Sequence, residues 1–245
     1  MNTYRADLHI HTVLSPCGDL EMSPVNILDA AKKQNIQIIG ITDHNTTLQC
    51  EVIQKIAGKY DIMVLPGAEV TSREEVHCLS FFPDTDSLNN FQQYLELHIP
   101  HIPNDIDKFG YQLVVDEKEN ICLNYPWLLI SGIDQTVDQI SRKVHSLGGI
   151  FIPAHIDRPK YSLISQLGFI PPDIEADAFE ISRHTTTEAM VHLAPWLKNK
   201  TFIRSSDAHY LQDIGRNFSQ FHMYERSFIE IKKALNNEDG RKVTL

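Results

Sequence analysis

Short apolar segments alternate with amphipathic segments along most of the chain. The segments 36–42 (IQIIGIT) and 61–70 (DIMVLPGAEV) are rich in aliphatic residues and are predicted as buried strands. Between them, 48–59 (LQCEVIQKIAGK) has apolar residues at helical spacing and ends near a glycine, which predicts an amphipathic helix. The alternation recurs about six or seven times, which predicts a largely parallel α/β sheet, either a barrel or doubly wound.

The other predicted elements follow the same alternation. Ser23 is a suitable N-cap for a first helix that starts at Pro24. Further strands are predicted at about 4–10, 74–82, 150–155, 178–182 and 201–206. Helices are predicted at about 24–34, 137–149, 186–194 and 226–236.

Residues 83–134 interrupt this alternation. They contain a predicted helix in 87–97 (SLNNFQQYLEL), a proline-rich turn, and a hairpin pattern in 111–129. Composition does not shift sharply at either edge of the segment. We therefore predict a single domain over 1–245 with an insertion or cap at about 83–134.

Composition and charge exclude several classes of protein. With 42% hydrophobic residues the chain can form a core without disulfides, and its four cysteines contain no C-x-x-C pair, so we expect reduced thiols. The net charge of −10 argues against binding of long duplex nucleic acid, which needs a basic surface. No signal-peptide pattern and no apolar run of the ~20 residues needed to span a membrane occurs. We expect a cytoplasmic protein with no membrane partner.

The first strand carries acidic and imidazole side chains in the segment DLHIH (7–11). Because successive side chains of a strand alternate, we predict that Asp7, His9 and His11 share one face, with Leu8 and Ile10 on the other. Two imidazoles at this spacing can bind one metal ion or two adjacent ones. An H-x-H pair on its own is weak support, since most such pairs do not bind metal.

Several later strands also end in such residues. If the sheet is a barrel, the C-terminal strand ends line the usual active-site mouth. A TDH sequence alone is equally compatible with a structural turn in which Asp43 is a cap. Together, however, so many charged groups at one mouth would be poorly solvated and mutually repulsive without cations, which predicts a multinuclear metal centre. The candidates at these strand ends are Asp43, His44, Glu69, His77, His155, Asp207 and His209.

In their order and spacing these motifs resemble the PHP (polymerase and histidinol phosphatase) domain phosphoesterases. The matching segments run from residue 7 to residue 209 and are DLHIHT, ITDHN, GAEV with the later His77, PAH and SDAH. The resemblance implies a distorted, TIM-like (β/α)7 barrel with an inserted segment. It also implies two to three divalent metal ions at the mouth, and mixed nitrogen and oxygen ligands admit Mn, Zn or Fe.

The resemblance implies a ligand set and two supporting acids. Asp7 and Asp43 are expected to orient ligand histidines through hydrogen bonds to their free ring nitrogens. His9, His11, Glu69 and Asp207 are the expected bridging or near-bridging ligands, and His44, His77, His155 and His209 complete the set.

One expected ligand position departs from the family pattern. The family has a further Asp or His five or six residues after H-x-H, where this chain has Pro16 and Cys17. We predict Asp19 as the substitute, with the Cys17 thiolate as the alternative and Glu21 less favoured.

The activity implied is that of a metal-dependent phosphoric ester hydrolase, a phosphatase or an exonuclease. A metal-bridged hydroxide would attack a nucleotide, a short 5′-phosphorylated oligonucleotide or a histidinol-phosphate-like monoester. His44, His209 and Asp207 are the predicted catalytic residues. Phosphate contacts are predicted for three arginines, although each is also compatible with a surface ion pair: Arg158, Arg183 and Arg216.

Other interpretations stay open. Tyr111, Tyr125 and Trp127 are candidates for stacking on a base, although aromatics in a hairpin are more often packing residues. A non-catalytic metal-binding or regulatory PHP module is the first alternative function, and the filled ligand positions weigh against it. An amidohydrolase-type enzyme is the second, and the absence of a lysine at the strand ends weighs against it.

Overall fold

The computed structural model describes residues 1–245, and its central feature is a curled sheet. The strands are β1 (Asn2–Ile10), β2 (Ile38–Ile41), β3 (Met63–Thr71), β4 (His77–Phe81), β5 (Leu113–Val115), β6 (Ile121–Asn124), β7 (Ile150–Pro153), β8 (Phe179–Glu180), β9 (Phe202–Ile203), β10 (Ser219–Met223) and β11 (Lys242–Thr244). The helices are α1 (Pro24–Lys33), α2 (Cys50–Ala57), α3 (Thr85–His98), α4 (Ile106–Phe109), α5 (Val137–Ser146), α6 (Leu163–Leu167), α7 (Thr187–Leu193) and α8 (Phe228–Leu235).

Seven strands close into a distorted barrel. The main sheet has the order β11-β10-β1-β2-β3-β4-β7, and β8 and β9 form a parallel pair. This pair adjoins β7 through the Ile156 N–H, which donates to the carbonyl oxygen of Glu180 at 2.9 Å. On the other side, the segment after β9 pairs with β1, because the His11 N–H donates to the Ala208 carbonyl at 3.0 Å. The predicted α/β barrel fold is confirmed.

The sheet is less parallel than the sequence pattern predicts. β1, β2 and β3 are parallel, but β4 is antiparallel to both β3 and β7. Only residues 72–76 join β3 to β4, and a parallel crossover needs a dozen or more residues. β10 and β11, which were not predicted, extend the sheet beyond the N-terminal part of β1.

Two apolar clusters hold the barrel together. A cluster of 16 buried residues fills the barrel below its mouth. It is contributed by six of the seven barrel strands, by Ala178 just before β8, and by β10 and α8. A cluster of 43 buried residues joins the outer faces of the strands to the surrounding helices. The site described below therefore lies on a rigid, fully packed support.

The segment 83–134 forms α3, α4 and the antiparallel pair β5–β6. Leu88, Phe91 and Leu95 of α3 belong to the larger cluster. The side-chain amide of Asn45 donates to the carbonyl oxygens of Leu129 and Ser131 at 2.7 and 2.8 Å, and thereby ties the segment to the end of β2. That 83–134 is an insertion within a single domain stays a prediction.

No helix is both long enough and apolar enough to cross a membrane.

Candidate metal centre

Eight acidic and imidazole side chains meet at one end of the barrel. Within each of three groups, the candidate ligand atoms all lie within 4.8 Å of one another. These groups are His11/His44/His209, His9/His11/Glu69/Asp207 and His44/Glu69/His77. They share members and so form one continuous cluster, which His155 joins through its Nε2, 3.3 Å from Glu69 Oε1.

Glu69 lies at the middle of the cluster. Asp207 is the second shared acid, since its Oδ1 lies 3.1 Å from His9 Nε2 and 3.2 Å from His11 Nε2. The Glu69 carboxylate lies 2.9–3.3 Å from imidazole nitrogens of His9, His11, His44, His77 and His155. Two carboxylates that each face several imidazoles are suited to bridging adjacent cations.

Several donor atoms of the cluster are buried without a hydrogen-bond partner. A buried polar atom without a partner is costly, so such atoms rarely collect in one place unless a ligand satisfies them. The atoms that form no hydrogen bond are His9 Nε2, His11 Nε2, His44 Nδ1, His155 Nδ1 and Asp207 Oδ1. All but His155 Nδ1 lie 3.1–3.3 Å from an oppositely charged partner in the cluster, but without the geometry of a hydrogen bond. The residues present therefore fit a group of divalent metal ions.

The charges of the cluster depend on one another. Burial alone lowers the pKa of His11, but Asp207 and Glu69 beside it raise this pKa to about 9. Burial raises the pKa of Glu69, but His77 and His9 lower it well below the ordinary value. Burial and the charge of His11 lower the pKa of His209 to about 4. Without metal, protons on some imidazoles balance the carboxylates, and cations can take their place.

A β-bulge near the end of β1 brings its two histidines into the mouth. The pairing with β2 shifts by one residue between Asp7 and Ile10, so that Leu8 and His9 together lie opposite Gly40. A Cβ at position 40 would lie 2.5 Å from the carbonyl oxygen of Leu8, so only glycine fits there.

The bulge overturns the alternation predicted for DLHIH. Leu8 packs in the cluster inside the barrel, whereas Ile10 packs in the outer cluster, so these two side chains do not share a face as predicted. The Asp7 carboxylate forms no hydrogen bond with His9 or any other ligand histidine. It accepts hydrogen bonds from the backbone N–H groups of Ser206 and Gly215, both at 2.8 Å. Asp7 therefore fixes the segment that carries Asp207, and the prediction that it orients a histidine is wrong.

Glu180 holds His9 instead, and sequence reasoning missed it. The Glu180 carboxylate lies 3.1 Å from His9 Nδ1 and accepts the backbone N–H of His155 at 2.9 Å. Burial raises the pKa of Glu180, but His9 lowers it, and the net pKa lies below the ordinary value. A single acid inside the apolar strand segment AFEIS was the signal that could have identified it.

Asp43 acts on a ligand histidine through an intermediate hydroxyl group. Its Oδ1 accepts a hydrogen bond from Ser15 Oγ at 2.7 Å, and Ser15 Oγ lies 2.9 Å from His11 Nδ1. The backbone N–H and the hydroxyl of Thr12 also donate to this carboxylate, each at 2.7 Å. The predicted orienting role of Asp43 thus corresponds to an indirect contact.

Two ligand positions have an unusual backbone conformation. His155 and Asp207 have φ angles of 31° and 52°, in the left-handed region that non-glycine residues rarely adopt. Such strain costs on the order of 1–3 kcal/mol per residue and is concentrated at functional sites. Both residues follow strands, and this conformation turns each side chain towards the mouth.

The loop after H-x-H brings Cys17 to the site, and not Asp19. Cys17 Sγ lies 3.1 Å from His209 Nε2, and burial of the thiol together with the charge of Glu69 raises the pKa of Cys17 to about 12. Asp19 belongs to none of the three groups. Its Oδ1 accepts the backbone N–H of Glu21 at 2.8 Å in a local turn. Glu21 is exposed.

A cavity of about 460 Å³ opens above the cluster. Arg158 lines it, and its Nη1 forms an ion pair with Asp207. Tyr161, which was not predicted, stacks on His77 with ring centroids 4.6 Å apart and an interplanar angle of 4°. No sequence pattern around Tyr161 distinguishes it from a surface residue.

The structure brings the three predicted arginines together. Arg158, Arg183 and Arg216 line a second cavity of about 330 Å³, which adjoins the first at Arg158. None of the three predicted stacking residues lines either cavity. Tyr125 is buried in the larger apolar cluster, Trp127 stacks on His101 at 4.6 Å, and Tyr111 is exposed. A further cavity of about 820 Å³, beside α7 and β11, contains no predicted site residue.

The protein is thus an α/β protein with a distorted barrel, and candidate metal ligands line the mouth of this barrel. The family model described as "PHP domain" matches residues 7–167, more than half of the chain, and the chain therefore belongs to the PHP domain family.

Known proteins resemble the chain at low sequence identity. The uncharacterized protein YqxK of Bacillus subtilis is 26% identical over 275 residues, which cover 99% of this chain and 64% of YqxK. The lesion-specific endonuclease EndoQ of Pyrococcus furiosus has a TM-score of 0.73 at 20% identity, over 100% of this chain and 58% of that one. A proposed metal-dependent phosphoesterase of Bifidobacterium adolescentis has a TM-score of 0.62 at 16% identity, over 95% and 96%. The chain thus spans less than two thirds of YqxK and of EndoQ.

Proposed function

We propose that the chain is a metal-dependent phosphoesterase that removes a phosphate from a nucleotide or from the 5′ end of a short oligonucleotide. The observation that carries this proposal is the group of buried, unpartnered donor atoms beside the Arg158 guanidinium. Bound cations would satisfy these buried nitrogen and oxygen atoms. The N–H groups of Arg158 that do not bind Asp207 could donate to a phosphate. The proposed ligands are His9, His11, His44, Glu69, His77, His155, Asp207 and His209, with Cys17 at the ninth position.

Bound divalent ions would supply a water of lowered pKa and would neutralise phosphate oxygens. The side chains have separate tasks. Glu180 and Ser15 hold the rings of His9 and His11, and Arg158 is placed to bind a phosphate oxygen. Of the two candidate proton carriers, His209 is the more exposed, with 23% of its side chain exposed against 6% for His44. Its Nε2 could carry a proton only while it is not bound to a metal ion.

Phosphodiester cleavage within nucleic acid is the second candidate. It is supported by similarity to Endonuclease Q, one structure of which holds a 27-mer duplex with an abasic lesion at the active site, with a TM-score of 0.71 at 20% identity over 98% of this chain. The net charge of −10 favours a short substrate.

The two other functions have less support. A regulatory module without activity would be expected to have lost some of the ligand residues. Here, however, eight acidic or imidazole side chains meet at one place. An amidohydrolase-type centre is expected to use a lysine between its metals. Lys160, the lysine that lines the cavity, is exposed in the loop after His155.

Metal content measured together with phosphatase activity tests the proposal. We expect two to three metal equivalents in the purified protein and hydrolysis of 4-nitrophenyl phosphate, both reduced in His9→Ala. His192→Ala, which changes an exposed histidine on α7, is the matched control and should leave both unchanged. A wild-type protein without bound metal, or an active His9→Ala variant, would refute the proposal.

A further inference from the structure

The cavity that contains the three arginines differs in chemistry from the one above the cluster. Nine residues line it, and none of them is hydrophobic. The lining includes three arginines and one acid, Asp213, and a second acid, Asp207, pairs with Arg158 from the neighbouring cavity. Such a lining suits a hydrated anion and offers little to an apolar group.

The walls of this cavity, which we call the arginine cleft, are held in place. The Ser182 N–H donates to Asp157 Oδ1 at 2.7 Å, which fixes the strand end before Arg183 to the loop before Arg158. On the opposite wall, Arg216 Nη1 lies 2.7 Å from Asp213 Oδ1. The loops that carry the three arginines therefore line one cleft without a bound ligand.

Most donors in the arginine cleft remain free. Arg158 uses Nη1 on Asp207, Arg183 uses Nε on His184, and Arg216 uses Nη1 on Asp213. The other guanidinium N–H groups have no protein partner. Free, convergent guanidinium groups bind phosphate through paired hydrogen bonds.

The arginine cleft also adjoins the cavity above the metal cluster, where the hydrolysed phosphate would bind. Arg158 lines both cavities, and Ser206 of the arginine cleft immediately precedes Asp207 of the metal cluster. A phosphate in the arginine cleft would thus sit beside a phosphate at the metals, on the same substrate.

We propose that the arginine cleft binds a second phosphate of the substrate, the internucleotide phosphate next to the one that is hydrolysed. This rests on the function proposed above and narrows its substrate to a short 5′-phosphorylated oligonucleotide. Arg183 and Arg216 are then specificity residues, because they contact only the second phosphate. Arg158 lies between the two phosphate positions.

Three ligands test the proposal: a 5′-phosphorylated mononucleotide, the corresponding dinucleotide, and the same dinucleotide with an uncharged methylphosphonate linkage. Hydrogen bonds to charged groups are strong enough for each arginine to change KM by about tenfold. We expect the charged dinucleotide to have the lowest KM, and Arg183→Ala/Arg216→Ala to raise only that KM. Arg142→Ala, an exposed arginine on α5, is the control.

Binding of the dinucleotide to metal-free protein, measured by calorimetry, separates this proposal from the proposed function. Weaker binding in the double variant, even if no ligand is hydrolysed, would support the arginine cleft and refute only the hydrolysis. The proposal is overturned if the neutral linkage binds equally well. It is also overturned if the double variant affects mononucleotide and dinucleotide alike, because the arginines would then serve the scissile phosphate or the fold.

Discussion

At the scale of single residues, the site depends on side chains that hold the ligands as well as on the ligands. The Glu180 carboxylate holds His9 through the ring nitrogen Nδ1 of that histidine, and it accepts a hydrogen bond from the backbone N–H of His155. Acids of this kind set the orientation of a metal-bound imidazole and increase its basicity. Glu180 is therefore a positioning residue, although it belongs to none of the three ligand groups.

Glu180→Gln should weaken metal binding by about 10- to 100-fold, because the amide retains the size of the side chain but not its charge. Competition with a chromophoric chelator measures this affinity, and circular dichroism verifies the fold. Glu188→Gln on the exposed face of α7 is the matched control. Equal metal affinities in the Glu180→Gln variant and the wild type would show that Glu180 has only a structural role.

The ninth ligand position is a second residue-scale question. With the Cys17 thiol 3.1 Å from His209 Nε2, Co²⁺-loaded protein should show a thiolate-to-cobalt absorption band in the near ultraviolet. Cys17→Ser should abolish the band, while Cys122→Ser, at a cysteine that does not line the cavity, should keep it. If Asp19→Ala lowers the bound metal and Cys17→Ser does not, the ligand is Asp19, as the sequence predicts.

At the scale of elements, much of the site lies at or near the ends of strands, and a sequence pattern can predict where those strands end. Glu69, His155 and the pair Asp207 and His209 were placed by the apolar segments that precede them. The bulge at Leu8 and His9 could not be found in this way, because strict alternation in DLHIH was the simpler interpretation. The bulge depends on the neighbouring strand, through the missing side chain of Gly40.

Gly40→Ala should destabilise the protein by about 1–3 kcal/mol, because the new Cβ has to displace the Leu8 backbone from rigid surroundings. Metal affinity should fall with it, since the same bulge aims His9. Gly58→Ala is the control, because a Cβ there meets nothing within 4 Å and the backbone is already helical. Thermal unfolding of both variants tests this, and equal melting temperatures would exclude strain at position 40.

At the scale of the whole molecule, the alternation of strands and helices predicted the barrel, but not its distortion. The antiparallel β4 follows from the short connection at 72–76, and β10 and β11 are short strands paired at the edge of the sheet. The grouping of Arg158, Arg183 and Arg216 in one cleft also needed coordinates, because their loops are far apart in sequence.

Asp177 links three parts of the molecule. Because its carboxylate has a lowered pKa, we expect the stability of the protein to depend on pH. Asp177 accepts hydrogen bonds from His145 on α5, the Phe151 N–H and the Asn236 side chain after α8. Burial raises its pKa, but the bond with His145 and the other two lower it, so that the net pKa lies below the ordinary value. The stabilisation by the carboxylate is therefore complete above the unfolded-state pKa and is lost as the pH falls through the lower folded-state pKa.

Asp177→Asn should lower the free energy of unfolding by about 1–3 kcal/mol near pH 7. The difference from wild type should shrink as the pH falls below about 4, where the unfolded-state carboxyl takes up its proton. Urea unfolding at a series of pH values measures both quantities. A difference that does not vary with pH would show that the charge of Asp177 is not what stabilises the fold.

The most direct test of the central claim is phosphate release from a 5′-phosphorylated dinucleotide before and after metal removal. Protein stripped by a chelator should release no phosphate, and addition of Mn²⁺, Zn²⁺ or Fe²⁺ should restore release in the wild type but not in Asp207→Ala. Release that persists in the stripped protein, or that is restored equally in Asp207→Ala, would contradict a metal-dependent phosphoesterase centred on these side chains.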